Sequence, residues 1–327
     1  MAVISYIDAI TKALREEMER DEKVFVLGED VGKKGGVFKA TAGLYEQFGA
    51  ERVIDTPLAE SAIAGVGVGA AMYGMRPVAE IQFADFILPA VNQIISEAAK
   101  IRYRTNNDWQ CPLVVRAPYG GGVHGALYHS QSLESVFANQ PGLKIVMPST
   151  PYDVKGLLKA AIRDDDPVLF FEHKRAYRLI KGEVPDEDYV LPIGKAEVKR
   201  EGTDITVITY GLCVHFALQA AEKLREDGIE AHILDLRTVY PLDKEAIIEA
   251  AAKTGKVLLI TEDNKEGSII GEVAAIIAEN CLFDLDAPIM RLAGPDVPAM
   301  PYAPTMEKYF MVNPEKVEKA MRELAEF

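Results

Sequence analysis

Along the chain, short runs rich in valine and isoleucine alternate with longer stretches in which apolar positions return every three or four residues. Continuous apolar runs predict strands covered on both faces, and the 3.6-residue period predicts the helices that cover them. Strands are expected at 24–27, 53–55, 77–82, 113–116, 144–147 and 168–172, with helices at 6–20, 61–72, 90–103 and 152–163. The segment Lys181-Gly-Glu-Val-Pro-Asp-Glu-Asp-Tyr-Val-Leu-Pro192 is polar, holds two prolines and reads as a linker rather than an element. A second alternation follows, with strands at 205–209, 231–235, 257–261 and 289–292 and helices at 216–225, 244–252 and 268–278. A last helix, 315–327, should open after Asn313-Pro314, a capping residue followed by the proline favoured in a first turn. The fold class is therefore α/β: a doubly wound, mostly parallel sheet over residues 1–185, a linker at 186–202 and a smaller α/β domain over 203–327.

Composition narrows the functional classes. A net charge of −14 on 327 residues disfavours nucleic acid and anionic membrane as partners and suits basic protein surfaces. Cys111, Cys213 and Cys281 are odd in number and far apart, which points away from a disulfide framework or a zinc site. No apolar run reaches the roughly 18 residues a membrane span needs, and the first residues lack a signal pattern, so the expected location is cytoplasmic.

Chemistry is expected where strands end. Glu60 follows the strand at 53–55 and begins an Ala/Gly/Val-rich stretch that should form a closely packed, buried helix. At the carboxyl end of an α/β sheet, ligands bind. Flanked by Leu58, Ala59, Ala62 and Ile63, this carboxylate should lose solvation and share a proton with a ligand; the plainer reading is a first-turn carboxylate facing the helix dipole. Gly65-Val-Gly67-Val-Gly69 has neither the spacing nor the position of a dinucleotide fingerprint, and these glycines are expected to admit close packing. The glycine-rich loop from Gly120 carries His124 and His129, suited to proton transfer, to simple loop bonding or, less well, to a metal. Phe86 could meet a ligand ring or fill the core, and Asp164-Asp165-Asp166-Pro167 is either a solvated turn or an oxygen-ligated cation site.

Seven segments together resemble the beta subunits of the thiamine-diphosphate-dependent decarboxylating component of 2-oxo acid dehydrogenase complexes. They are Gly28-Glu-Asp-Val-Gly, Asp55-Thr-Pro-Leu-Ala-Glu60, Glu80-Ile-Gln-Phe-Ala-Asp-Phe86, Ile101-Arg-Tyr-Arg, His124-Gly-Ala-Leu-Tyr-His129-Ser-Gln-Ser, Pro148-Ser-Thr-Pro and Asp235-Leu-Arg-Thr. The likeness spans both domains and implies a transketolase-like pyrimidine-binding domain followed by a transketolase carboxyl-terminal domain. It implies that Glu60 hydrogen-bonds a ring nitrogen of the cofactor's aminopyrimidine, with Leu58, Gln82 and Phe86 beside that ring. His129 is implied in acyl transfer to a lipoyl arm, and His124 as a nearby active-site histidine.

The Gly-Asp-Gly motif that holds magnesium and the diphosphate in this family occurs nowhere in the sequence. The resemblance therefore implies an alpha subunit carrying Mg2+, in a heterotetramer of two alpha and two beta chains. It also implies docking to the lipoyl and peripheral-subunit-binding domains of an acyltransferase core. In branched-chain members it implies a potassium-type ion near Leu113, Ala161, Asp164 and Asp166, although Val114 stands where a related enzyme offers a hydroxyl. Gly125-Ala-Leu-Tyr128 and Ala84-Asp-Phe86 resemble the branched-chain enzymes more than the pyruvate ones, so branched-chain 2-oxo acids are the expected substrates and pyruvate the alternative. A self-sufficient transketolase-like enzyme is disfavoured by the missing diphosphate motif. A noncatalytic assembly subunit would leave Glu60 and His129 dispensable.

Overall fold

The computed structural model describes all residues, Met1–Phe327, in two compact units. The first comprises Met1–Tyr119 and Val136–Ile193; the second comprises Gly120–Ser135 and Gly194–Phe327.

In the first unit the strands are β1 (Ala2–Ser5), β2 (Val24–Gly28), β3 (Val53–Asp55), β4 (Arg76–Glu80), β5 (Val114–Tyr119), β6 (Lys144–Val146), β7 (Val168–His173) and β8 (Lys181–Val184). Six of them lie side by side, all parallel, in the order β6-β7-β5-β4-β2-β3. Every residue of β2, β5 and β7 is buried, as the unbroken apolar runs require of central parallel strands. The helix Tyr6–Arg20 begins in a capping box, Ser5 accepting from the Asp8 amide while Asp8 reaches back. The helix Pro151–Arg163 begins at Thr150, whose hydroxyl accepts from the Asp153 amide.

Three expectations change here. Lys181–Val184 is not linker but β8, paired antiparallel with β1, a long-range partner that local composition cannot reveal. The single helix expected over 90–103 is instead a succession: a 3-10 turn at Ala84–Ala90, a π-helical turn at Asn92–Glu97, a 3-10 turn at Ala98–Lys100 and an α-turn at Ile101–Arg104. Pro89, which lacks an amide hydrogen and crowds the preceding turn, lies inside the first of these segments, Ala84–Ala90. The third is the helix Glu60–Met72, which buries Ile63, Ala64, Gly67, Val68 and Ala71 but leaves Val66 exposed, so only one face is closely packed. A Cβ on Gly67 would stand 2.8 Å from a Leu113 methyl, which is why this turn needs glycine.

In the second unit the strands are β9 (Glu197–Arg200), β10 (Ile205–Thr209), β11 (Ala231–Asp235), β12 (Thr238–Tyr240), β13 (Val257–Asn264) and β14 (Met290–Gly294). The sheet order is β14-β13-β10-β11-β9, parallel except for β9 at its edge. β9 falls within the stretch expected to be linker. The helices Leu212–Glu226, Lys244–Thr254 and Ile269–Cys281 follow the expected order, and Pro314–Ala325 starts at Asn313, whose side chain accepts from the Lys316 amide. The short helix Pro304–Phe310 was not foreseen. All three cysteines are free and buried, and no helix is long and apolar enough to cross a membrane.

Candidate active site

In the first unit, the carboxyl ends of the adjacent strands β3, β2 and β4 bring the Glu60, Glu29 and Gln82 segments to one edge of the sheet. Gly28, the last residue of β2, pairs in register with Asp55 of β3 and Glu80 of β4. A Cβ there would lie 2.6 Å from the Glu80 carbonyl oxygen, so glycine is what lets the strands converge. The following loop is pinned by the Gly32 amide, which donates to Asp55 Oδ1 at 2.6 Å.

Glu60 is the first residue of the helix Glu60–Met72 and is half-buried. Of the apolar residues expected to flank it, Ile63 is buried while Leu58, in the turn before the helix, is 77% exposed. Glu29 stands close enough for the charge of Glu60 to act on it; burial, then Glu60, then Asp30 push the Glu29 carboxyl upward. The Gln82 side-chain amide donates to the Glu29 carbonyl at 3.5 Å, a weak bond at the outer limit of distance. Phe86 is half-buried, its ring edge-on to Phe83 at 5.9 Å. The Ser61 hydroxyl donates to the Pro89 carbonyl at 3.0 Å, tying the start of the Glu60 helix to the turn that carries Phe86. Beside Glu60's loop, the Thr56 hydroxyl oxygen is buried without a hydrogen-bond partner.

Beneath this edge lies an ion cluster that sequence reading missed. Arg116, fully buried in β5, holds Glu172 with two bonds of 2.6 and 2.7 Å and Glu80 with a third of 2.7 Å. The Tyr177 hydroxyl donates to Glu172 at 2.7 Å. One guanidinium thus serves two carboxylates. Burial pushes Glu80 upward despite Arg116, and burial with Glu172 pushes Tyr177 well above its ordinary range. A charged residue in a buried strand was the available signal.

Leu113, Ala161, Asp164 and Asp166 gather at the opposite, amino edge of the same sheet. The Leu113 carbonyl accepts from the Val168 amide at 2.9 Å and the Ala161 carbonyl from the Asp164 amide at 3.3 Å. Asp164 pairs with the Lys144 ammonium at 2.6 Å, and Asp166 with Arg102. Both carboxylates are therefore matched to cations of the chain itself.

In the second unit, the loop Gly120–Ser135 carries His124 and His129. It closes on itself through the Gly120 amide and the Gln131 carbonyl at 3.1 Å. Its anchors are carboxylates that spacing did not reveal. The Gly121 amide donates to Glu262 at 2.5 Å, and Ser135 donates to Asp263 at 2.6 Å, both acceptors near the carboxyl end of β13. Glu134, completely buried, accepts from the Tyr210 hydroxyl at 2.8 Å, while its other oxygen has no hydrogen-bond partner. Burial and the neighbouring Asp263 push Glu134 up to about 8. Glu307, in the helix Pro304–Phe310, binds His124 through both carboxylate oxygens. His129 is half-buried in the same loop, and Gly125 is packed so that a Cβ would fall 2.7 Å from that of His129.

Comparison with known proteins follows this division. Residues 2–180 match the transketolase pyrimidine-binding domain and residues 194–317 the transketolase C-terminal domain. The chain is 86% identical, over the full length of both, to the 2-oxoisovalerate dehydrogenase subunit beta of Bacillus subtilis (strain 168). It is 48% identical, again over both full lengths, to the pyruvate dehydrogenase E1 component subunit beta of the same organism, and 46% identical to that of Acholeplasma laidlawii over 99% of each chain. A solved structure titled "split gene transketolase, inactive beta4 tetramer" shares the fold, with a TM-score of 0.79 at 23% identity over 99% of this chain and 98% of the other. By domain content and by identity along its whole length, the chain belongs to the transketolase-like family of 2-oxo acid dehydrogenase beta subunits.

Proposed function

We propose that this chain is the beta subunit of a branched-chain 2-oxo acid dehydrogenase, active with an alpha subunit in oxidative decarboxylation and in reductive acylation of lipoyl groups. The observation that carries the chemistry is the convergence of Glu60, Gln82 and Phe86 at the carboxyl edge of one parallel sheet. The residues fit the pyrimidine half of thiamine diphosphate: a half-buried carboxylate, a half-exposed aromatic face and an orphaned Thr56 hydroxyl leave donors and acceptors for a ring to satisfy. When bound, the cofactor supplies the thiazolium carbon that takes up the substrate's acyl group.

The chain's own part is acid–base work and positioning. Glu60 holds a proton at a pyrimidine nitrogen, which only a carboxyl able to gain and lose that proton can do. Phe86 gives the ring a flat apolar wall. His129, on a glycine-rich loop, supplies a proton to the sulfur released when the lipoyl dithiolane opens, imidazole being the side chain matched to transfer near pH 7. Mg2+ and the diphosphate fall to the alpha subunit, since no Gly-Asp-Gly occurs here. Each cofactor then lies between an alpha and a beta chain of a heterotetramer of two alpha and two beta chains, and the lipoyl and peripheral-subunit-binding domains of the acyltransferase core are the docking partners. A potassium-type ion at Leu113 and Ala161 would have to draw on the second lone pairs of those carbonyls, the carboxylates being engaged by Lys144 and Arg102.

Branched-chain substrates are preferred over pyruvate because the 2-oxoisovalerate enzyme's subunit is 86% identical and the pyruvate enzyme's 48%. The copurified heterotetramer should turn over 3-methyl-2-oxobutanoate with a higher kcat/KM than pyruvate. The reverse order would move the assignment to pyruvate.

A further inference from the structure

His124 is held in a way that a surface loop histidine does not need. Its side chain is 61% exposed within this chain, yet its partner Glu307 is only 5% exposed. Both oxygens of that one buried carboxylate are used on the same residue: Oε2 lies 2.6 Å from His124 Nδ1, and Oε1 accepts the His124 backbone amide at 3.2 Å. His124 itself sits at φ +56°, a left-handed conformation that is strained for a residue with a Cβ and persists only where neighbours over-determine it. Around the carboxylate's helix the packing is apolar: Met300, Phe310 and Met311 form a buried cluster, and a Cβ on Gly121 would fall 2.5 Å from the Met300 methyl. A carboxylate buried beside such groups is desolvated and is retained only with strong partners.

We propose that Glu307 is a positioning residue for proton transfer at His124, a role that rests on reading His124 as an active-site histidine. With Nδ1 committed to the carboxylate, the neutral ring carries its hydrogen on Nδ1 and presents the Nε2 lone pair outward. The backbone bond from the same carboxylate fixes where the ring stands. An orienting acceptor of this kind selects the tautomer of a functional imidazole and holds its direction. At this position the loop is thereby given one defined acid–base atom, Nε2.

The test uses heterotetramer assembled with beta chains labelled by [15N]histidine. Solid-state 15N spectra, with the His124 signals identified by their loss in His124→Asn, should show a protonated Nδ1 and an unprotonated Nε2 in the neutral ring. In Glu307→Gln the amide oxygen can keep the backbone bond while its NH2 donates to Nδ1, so the hydrogen should move to Nε2. Reductive acylation of a lipoyl domain should lose roughly 10- to 100-fold in kcat, with KM for that domain unchanged, and Glu307→Asp should recover part of the loss. Introduced into His124→Asn, which tolerates positive φ, Glu307→Gln should cost nothing further. An unchanged tautomer in Glu307→Gln, or additive losses in the double variant, would overturn the proposal. Normal acylation by His124→Asn, with the tautomer shift present in Glu307→Gln, would overturn the active-site reading of His124 and, with it, the positioning role.

Discussion

Glu60 and Glu134 show how two carboxylates in similar sequence settings take different physical roles. Glu60 opens a helix and stays half-buried within this chain, so its chemistry depends on what is brought to it. Glu60→Gln in the assembled enzyme keeps the shape but cannot exchange a proton, and decarboxylation measured with an artificial electron acceptor should fall by ~100- to 10,000-fold while assembly persists. Near-normal turnover would return Glu60 to the helix-dipole role. Glu134 is enclosed, one oxygen unpartnered, and holds its proton up to about pH 8 through burial and Asp263. A folded-state value raised above the unfolded one, near 4.5, means a contribution fully present below the unfolded value and lost as pH rises toward about 8. Thermal stability should therefore decline across that window, and Glu134→Gln should flatten the decline; an unaltered pH slope would count against the buried acid as its source.

Among the elements, β5 carries a fully buried ion cluster. Arg116 lies fully buried between Glu80 of β4 and Glu172 of β7, and the parallel register sets all three on neighbouring central strands. Removing one member of such a group leaves uncompensated buried charge, a loss of about 3–5 kcal/mol. Arg116→Met should accordingly lower the thermal midpoint sharply, and combining it with Glu80→Gln and Glu172→Leu should recover much of that loss, since apolar replacement of a whole buried ion group is often near neutral. If the triple variant is as unstable as the single one, packing rather than charge governs the site.

At the scale of the whole molecule the chain is chemically partial. It offers a pyrimidine edge and a histidine loop but no Gly-Asp-Gly, and its Glu60–Met72 helix is apolar on all sides while leaving Val66 exposed and Gly69 with open space beside it. A helix of that composition ordinarily has its whole surface covered. The isolated chain supplied with magnesium and thiamine diphosphate should show no decarboxylation, and activity should appear on adding the alpha subunit. Substantial turnover by the beta chain alone would refute the shared-site reading.

The sequence by itself determined the alternation of strands and helices, because burial on both faces of a parallel sheet demands unbroken apolar runs and covering helices demand a 3.6-residue period. It also determined the starts at Tyr6 and Pro314, where capping is local chemistry. Glu60 was legible because strand ends can be located from the same runs, whereas Gln82 and Phe86 were marked as ring contacts only by the resemblance. Tertiary structure alone decided what required distant partners. The pairing of β1 with β8 and the meeting of Arg116 with Glu80 and Glu172 join residues whose spacing in sequence carries no period. The hold of Glu307 on His124 spans 183 positions, and no local pattern encodes it. Hydrophobic periodicity is a property of a segment, whereas a hydrogen bond between remote side chains exists only once the chain has folded.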